Sequence, residues 1–105
     1  MLTVDDWAQQ IKLLRLMSIE MLELAQTGAW DEAIHWESQR RALLEALFQQ
    51  TPPAELTPAL VETVQAMLSS DAQLQALARV EMEKLSDYLK SIGQGRRARQ
   101  AYQSL

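Results

Sequence analysis

The 105-residue chain has no cysteine, one histidine, three glycines and three prolines. Each scarcity excludes something. Without cysteine there are no disulfides and no thiolate sites, and a reducing compartment is permitted. With His35 alone, zinc centres assembled from His and Cys clusters cannot be built within one chain. Asp31 and His35 do stand i to i+4 and could hold a metal weakly, but an exposed or satisfied helical histidine accounts for them as well. There is no glycine-rich phosphate loop, so no metal or cofactor is expected. No apolar run approaches the ~18 residues of a membrane span, and the opening MLTVDDWAQQ has two acids where a secretory leader carries bases. Those features point to the cytoplasm and away from membranes. Paired carboxylates such as Asp5 with Asp6, or Glu81 with Glu83, have no evident cleft to perturb them and suit solvated helix faces.

Leu, Ala and Met make up much of the 48% hydrophobic content, whereas aromatics supply only 6%. These are good helix formers, and the supply of large anchors is thin for a globular core. The expected fold is all-α: an elongated antiparallel bundle of three long helices plus a short C-terminal helix.

Thr3 and Asp6 have the spacing of a capping pair, and Val4, Trp7, Ile11, Leu14, Met21 and Ala25 follow the helical period. Leu13, Leu16, Met17, Leu22 and Leu24 widen that stripe, so the helix, near 5–27, can meet two neighbours at once or one neighbour and an outside partner. Gly28 fits the residue just past a helix end. Asp31 and Glu32 then suit the first turn of a second helix, near 30–50, whose apolar residues are Ala33, Ile34, Trp36, Leu43, Leu44, Leu47 and Phe48. Its polar middle contains Glu37 and Arg41, an i to i+4 pair. Thr51-Pro52-Pro53 stops this helix, and Thr57-Pro58 starts the next with a capping threonine and a first-turn proline. The third helix spans 57–92. Leu60, Val64, Met67 and Leu68 form one stripe and Leu74, Leu77, Met82, Leu85, Leu89 and Ile92 another, so the helix is either continuous with a stutter or broken near 69–71 with Asp71 as a cap.

Gly93-Gln94-Gly95 is expected to end that helix and act as a hinge between a body, 1–92, and a C-terminal helix, 93–105. Arg96, Arg97 and Arg99 give this tail +3 with no acid, which leaves −7 on the first 93 residues of a chain whose formal charge is −4. The tail is drawn to its own body. So short an amphipathic helix, with Tyr102 and Leu105 on its apolar side, is marginal in water and needs a docking surface. Three arginines on an acidic body neutralise few phosphates, so direct binding of nucleic acid is not expected. An exposed Leu/Met stripe beside a detachable helix suits helix-in-groove recognition instead.

The order and spacing of several motifs resemble the FliT family of flagellar export chaperones. They are LELAQ at the end of the first helix, the Gly turn with Trp-Asp after it, the Glu to Arg step, Leu-Leu and Leu-Phe, the Thr-Pro-Pro link, Asp71-x-x-Leu74-x-x-Leu77, Ile92-Gly93, and a terminal Ala101-Tyr102-Gln103-x-Leu105 with Gln103 where glycine is frequent. The export chaperone of hook-associated proteins shares the long-helix design. The resemblance implies a cytoplasmic type III export chaperone that binds the C-terminal region of the filament-cap protein FliD, prevents premature assembly and aids delivery. Further partners it implies are the export ATPase complex, the export gate and, in some enterobacteria, the master regulator FlhDC, through which flagellar genes are regulated.

It also implies a C-terminal helix that covers the binding surface until displaced. Tyr102 and Leu105 would then plug a groove lined by Leu74, Leu77, Met82, Leu85, Leu89 and Ile92. Arg96, Arg97 and Arg99 would steer the tail toward acids such as Glu81, and Gly93 and Gly95 would form the hinge. The alternative is that Tyr102 is ordinary core and the tail a fixed part of the fold. The chain is expected to be a monomer or a weak homodimer. Two other functions fit the residues: a helical adaptor with a different partner, and a small all-α enzyme of the chorismate mutase kind, with Lys12, Arg15, Arg40 and Arg41 around a dicarboxylate.

Overall fold

The computed structural model describes residues 1–104; Leu105, assigned above to the tail, lies outside the described residues. Three α-helices follow in order: α1 Val4–Gln26, α2 Trp30–Leu47 and α3 Thr57–Gln103, with a 3₁₀ turn at Ala54–Leu56 before α3. Among the described residues there is no strand. The chain divides into two compact units, Met1–Leu74 and Gln75–Leu105.

In the first unit, α1 starts where its sequence provides a reciprocal cap. The Asp6 amide donates to Thr3 Oγ1 at 3.1 Å and the Thr3 amide donates to Asp6 Oδ2 at 3.0 Å, which satisfies two amides that the helix itself leaves free. The Thr3 amide first, and the nearby Thr3 hydroxyl second, stabilise the Asp6 carboxylate and hold it below its ordinary value. The helix ends in a Schellman motif. Gly28 takes φ +82°, and the amides of Gly28 and Ala29 return to the carbonyls of Ala25 (3.1 Å) and Leu24 (2.8 Å). A side chain at that φ would be strained, so the glycine is required.

The turn folds α2 back along α1. Trp7, Leu14, Leu47 and Met67 are buried together, and Leu2, Leu43, Leu44 and Leu56 pack around them. Burial of each large side chain contributes roughly 1.5–3 kcal/mol before ordering costs. Ile34 and Phe48, expected in the α2 stripe, are exposed at 62% and 54%. At ~100° per residue, Ile34 falls about 140° from the centre of the face that Ala33, Trp36, Leu43 and Leu47 share, too far to reach α1. The second helix also stops earlier than 50, with Phe48 as its C-cap and the next residues in a turn.

Two expectations for α3 are corrected. Thr57 is not a cap: it already has helical angles, φ −55° and ψ −46°, because the 3₁₀ turn leads the chain into the helix. The helix runs unbroken through 69–71, the continuous one of the two alternatives, but it does not end at Gly93. Asp71 gives its carboxylate to Arg40 on α2 instead of to a backbone amide, so no cap forms. Gly93 and Gly95 have no positive φ and remain within α3. A helical glycine costs ~1 kcal/mol relative to alanine, which flanking Gln, Arg and Ala residues tolerate in the absence of proline. A separate C-terminal helix is therefore not present: residues expected to form it continue α3 to Gln103.

Candidate protein-binding surfaces

A polar network ties the three helices of the first unit together. Arg40 is 6% exposed although it belongs to the polar middle of α2. Its guanidinium donates to both carboxylate oxygens of Asp71 on α3, at 2.8 and 3.0 Å, and to Ser18 Oγ on α1 at 2.8 Å. Ser18 in turn donates to the Leu14 carbonyl at 2.9 Å, and the Ser70 hydroxyl reaches the Ser18 carbonyl at 3.4 Å. Every member is satisfied, the condition under which a buried polar cluster holds one arrangement of its helices. Sequence reasoning missed this pair, yet a signal was there. Arg40 falls on the apolar face of α2 and Asp71 follows Leu60 and Met67 along the buried face of α3, so each stripe contains one charge of opposite sign.

The same network removes the chemistry that an enzyme of the chorismate mutase kind would need. Arg40 is committed to Asp71, Arg41 pairs with Glu37 at 2.6 Å, and Arg15 pairs with Glu62 at 3.4 Å while donating to Thr63 Oγ1 at 3.0 Å. Glu37 holds the Arg41 guanidinium above its ordinary value. All three arginines of that reading are thus spent on acids. His35 is exposed beside Gln39 at 3.1 Å, and no cluster of metal ligands occurs among the described residues.

Two surfaces are left open. Within the first unit a cleft of about 530 Å³ runs between α1 and α3, with Ile19, Leu22, Ala66 and Met67 as its apolar walls and Arg15 and Glu23 on its rim. It was anticipated only as the breadth of the α1 stripe. In the second unit α3 exposes Met82 (68%), Leu85 (52%), Leu89 (57%) and Ile92 (37%) at i, i+3, i+7 and i+10, with Tyr88 beside them. Four of the six residues expected to line a groove thus share one exposed helix face. Leu74 and Leu77 are half-buried, Leu74 in the first unit.

The tail does not plug that face. Tyr102 is 82% exposed and stands 20 residues beyond Met82 on the same helix, roughly 30 Å along its axis. Because the helix continues through the glycines, Tyr102 is neither latch nor core in this structure. Arg96, Arg97 and Arg99 are exposed. Glu81, their expected target, pairs with Lys84 at 3.6 Å.

A satisfied polar core, neutralised cations around it and a bare apolar helix face are the equipment of a helical chaperone that handles other proteins. Among the described residues no helix is long and apolar enough to cross a membrane. A family model described as "Flagellar protein FliT" matches residues 8–104. A relative from Citrobacter koseri, also described as "Flagellar protein FliT", is 29% identical across 98% of this chain and 85% of its own length. No solved structure matches the chain. The chain belongs to the FliT family of flagellar export chaperones, which are not enzymes.

Proposed function

We propose that this chain is a cytoplasmic chaperone for the C-terminal region of the filament-cap protein FliD, holding it from premature assembly and aiding its delivery to the export apparatus. The observation that carries this reading is the exposed face of Met82, Leu85, Leu89 and Ile92 in a chain of this family. An amphipathic client helix covers that face by matching apolar residues at i, i+3 and i+7, with Leu77 extending the contact. The client's own apolar side chains are thereby kept from one another. The export ATPase complex, the export gate and the regulator FlhDC belong to the same reading as later or competing partners.

The tail regulates access. A bend at Gly93 and Gly95 frees Arg96, Arg97, Arg99, Tyr102 and Leu105 to return toward Glu81 and the apolar face, and a client displaces them. Calorimetric titration of the full chain, and of a version ending at Ile92, with the C-terminal segment of FliD tests both parts. Binding by the full chain and tighter binding by the shortened one is expected. Absence of binding by either, with both still helical, would overturn the client assignment; equal affinities would remove the tail from its regulation.

A further inference from the structure

The five methionines of the chain divide sharply by exposure. Met17, Met21 and Met67 are buried in the first unit. Met67 belongs to the cluster around Trp7 and Leu14. Met1 is fully exposed and precedes α1. Met82, in the second unit, is 68% exposed and opens the apolar face that Leu85, Leu89 and Ile92 continue. A thioether is oxidised where a water-borne oxidant can reach its sulfur. Burial shields three of the five, and of the two that are open only Met82 lies on the surface assigned to a client.

We propose that Met82 is a reversible oxidation site through which a peroxide weakens the hold of this face on its client; the effect on affinity rests on the client reading above. In the step, the Met82 sulfur attacks one oxygen of hydrogen peroxide. The S–O bond forms with the sulfur's electron pair as the O–O bond breaks, and proton transfer releases the other oxygen as water. Sulfur is oxidised and the peroxide reduced. The product is methionine sulfoxide, a polar acceptor where an apolar group stood. In the free chain that oxygen faces water. Under a client helix it is sealed among apolar side chains, since Leu85 and Leu89 have no donor to offer it, and a buried polar group without a partner opposes association. The fold is spared, because Met82 is no part of the buried cluster. Oxidation of Met67 would damage that cluster, but its burial delays the reaction until the unit opens. Sulfoxide reductases, one for each epimer, reverse the change, and an exposed side chain is open to them as well.

To test this, the full chain is treated with limiting hydrogen peroxide, freed of it, mapped by peptide mass spectrometry and titrated calorimetrically with the untreated C-terminal segment of FliD. Met82 is expected to gain its oxygen at least roughly ten times faster than Met17, Met21 or Met67. The oxidised chain should then bind roughly tenfold more weakly than the same chain untreated, with unchanged helix content by circular dichroism. Reductases for both epimers should return it to its untreated affinity. Met82→Leu serves as the control: Met1 is still oxidised there, yet its affinity should be the same before and after peroxide. Oxidation of Met82 no faster than of the three buried methionines would overturn the site. An affinity indifferent to Met82 oxidation, or one that falls equally in Met82→Leu, would overturn its effect on the client. If the untreated chain binds no client, the client reading fails and the effect on affinity falls with it, while the mapped rates still decide the site by themselves.

Discussion

Replacing Asp71 with alanine should damage the fold more than removing the arginine it binds. The Arg40 side chain is 7% exposed, whereas Asp71 is 36% exposed. In Asp71→Ala the guanidinium stays buried with Ser18 as its remaining partner in the network. Breaking a fully buried pair in this way costs about 3–5 kcal/mol. Water reaches the Asp71 side of this one, so ~2–3 kcal/mol is expected. Arg40→Met removes the charge and leaves a carboxylate that can be hydrated, at a cost of ~1 kcal/mol for lost hydrogen bonds. Adding Asp71→Ala to Arg40→Met should then cost little more, because no buried cation is left to strand. Against a domain stability of about 5–15 kcal/mol these differences are large. In urea unfolding followed by circular dichroism, the Asp71→Ala midpoint should fall by about 1 M or more at an ordinary slope, and by clearly more than that of Arg40→Met. Equal losses, or a loss below ~0.5 kcal/mol for Asp71→Ala, would refute the claim that this network locks the three helices.

Three further outcomes follow from the backbone and its caps. Gly28→Ala should cost about 1–2 kcal/mol in thermal unfolding, because φ is +82° and no atom within 4 Å adds a steric penalty. Asp6 has a folded-state value depressed below 3.8, so its contribution is complete above that pH and lost as pH falls through the depressed value. Acidification should therefore fray the start of α1, seen in the Thr3 amide resonance, and Asp6→Asn should remove that pH dependence. Gly93→Ala with Gly95→Ala should favour helix locally by up to ~1 kcal/mol per site, with open space around both positions. Slower amide exchange across residues 89–103 would report it, and unchanged exchange would contradict it.

The helices were legible in the sequence wherever the signal is local. Thr3 and Asp6 are three residues apart, and Gly28 acts within one turn, so spacing alone located the start of α1 and the hairpin. The Glu37 to Arg41 pair was legible for the same reason. What was not legible depends on partners far along the chain: Arg40 and Asp71 are 31 residues apart, and only the fold brings them together. Read alone, Ser69-Ser70-Asp71 has the composition of a helix start; once the carboxylate is taken by Arg40, it becomes mid-helix. Gly93 and Gly95 posed the opposite difficulty, since two glycines lower helix propensity without deciding where a helix ends. The apolar face of the candidate site was visible as a stripe from Met82 to Ile92, but its lack of a second wall was not, because periodicity says which residues share a face and nothing about what covers it.

The central claim is that a client helix covers this face. Hydrogen exchange of the full chain, with and without the C-terminal segment of FliD, tests it most directly. The amides of a helix with so few covering side chains open readily, so binding is predicted to slow exchange across residues 78–96 more than anywhere in α1 or α2. Binding accompanied by protection confined to the cleft between α1 and α3, with 78–96 unchanged, would contradict it.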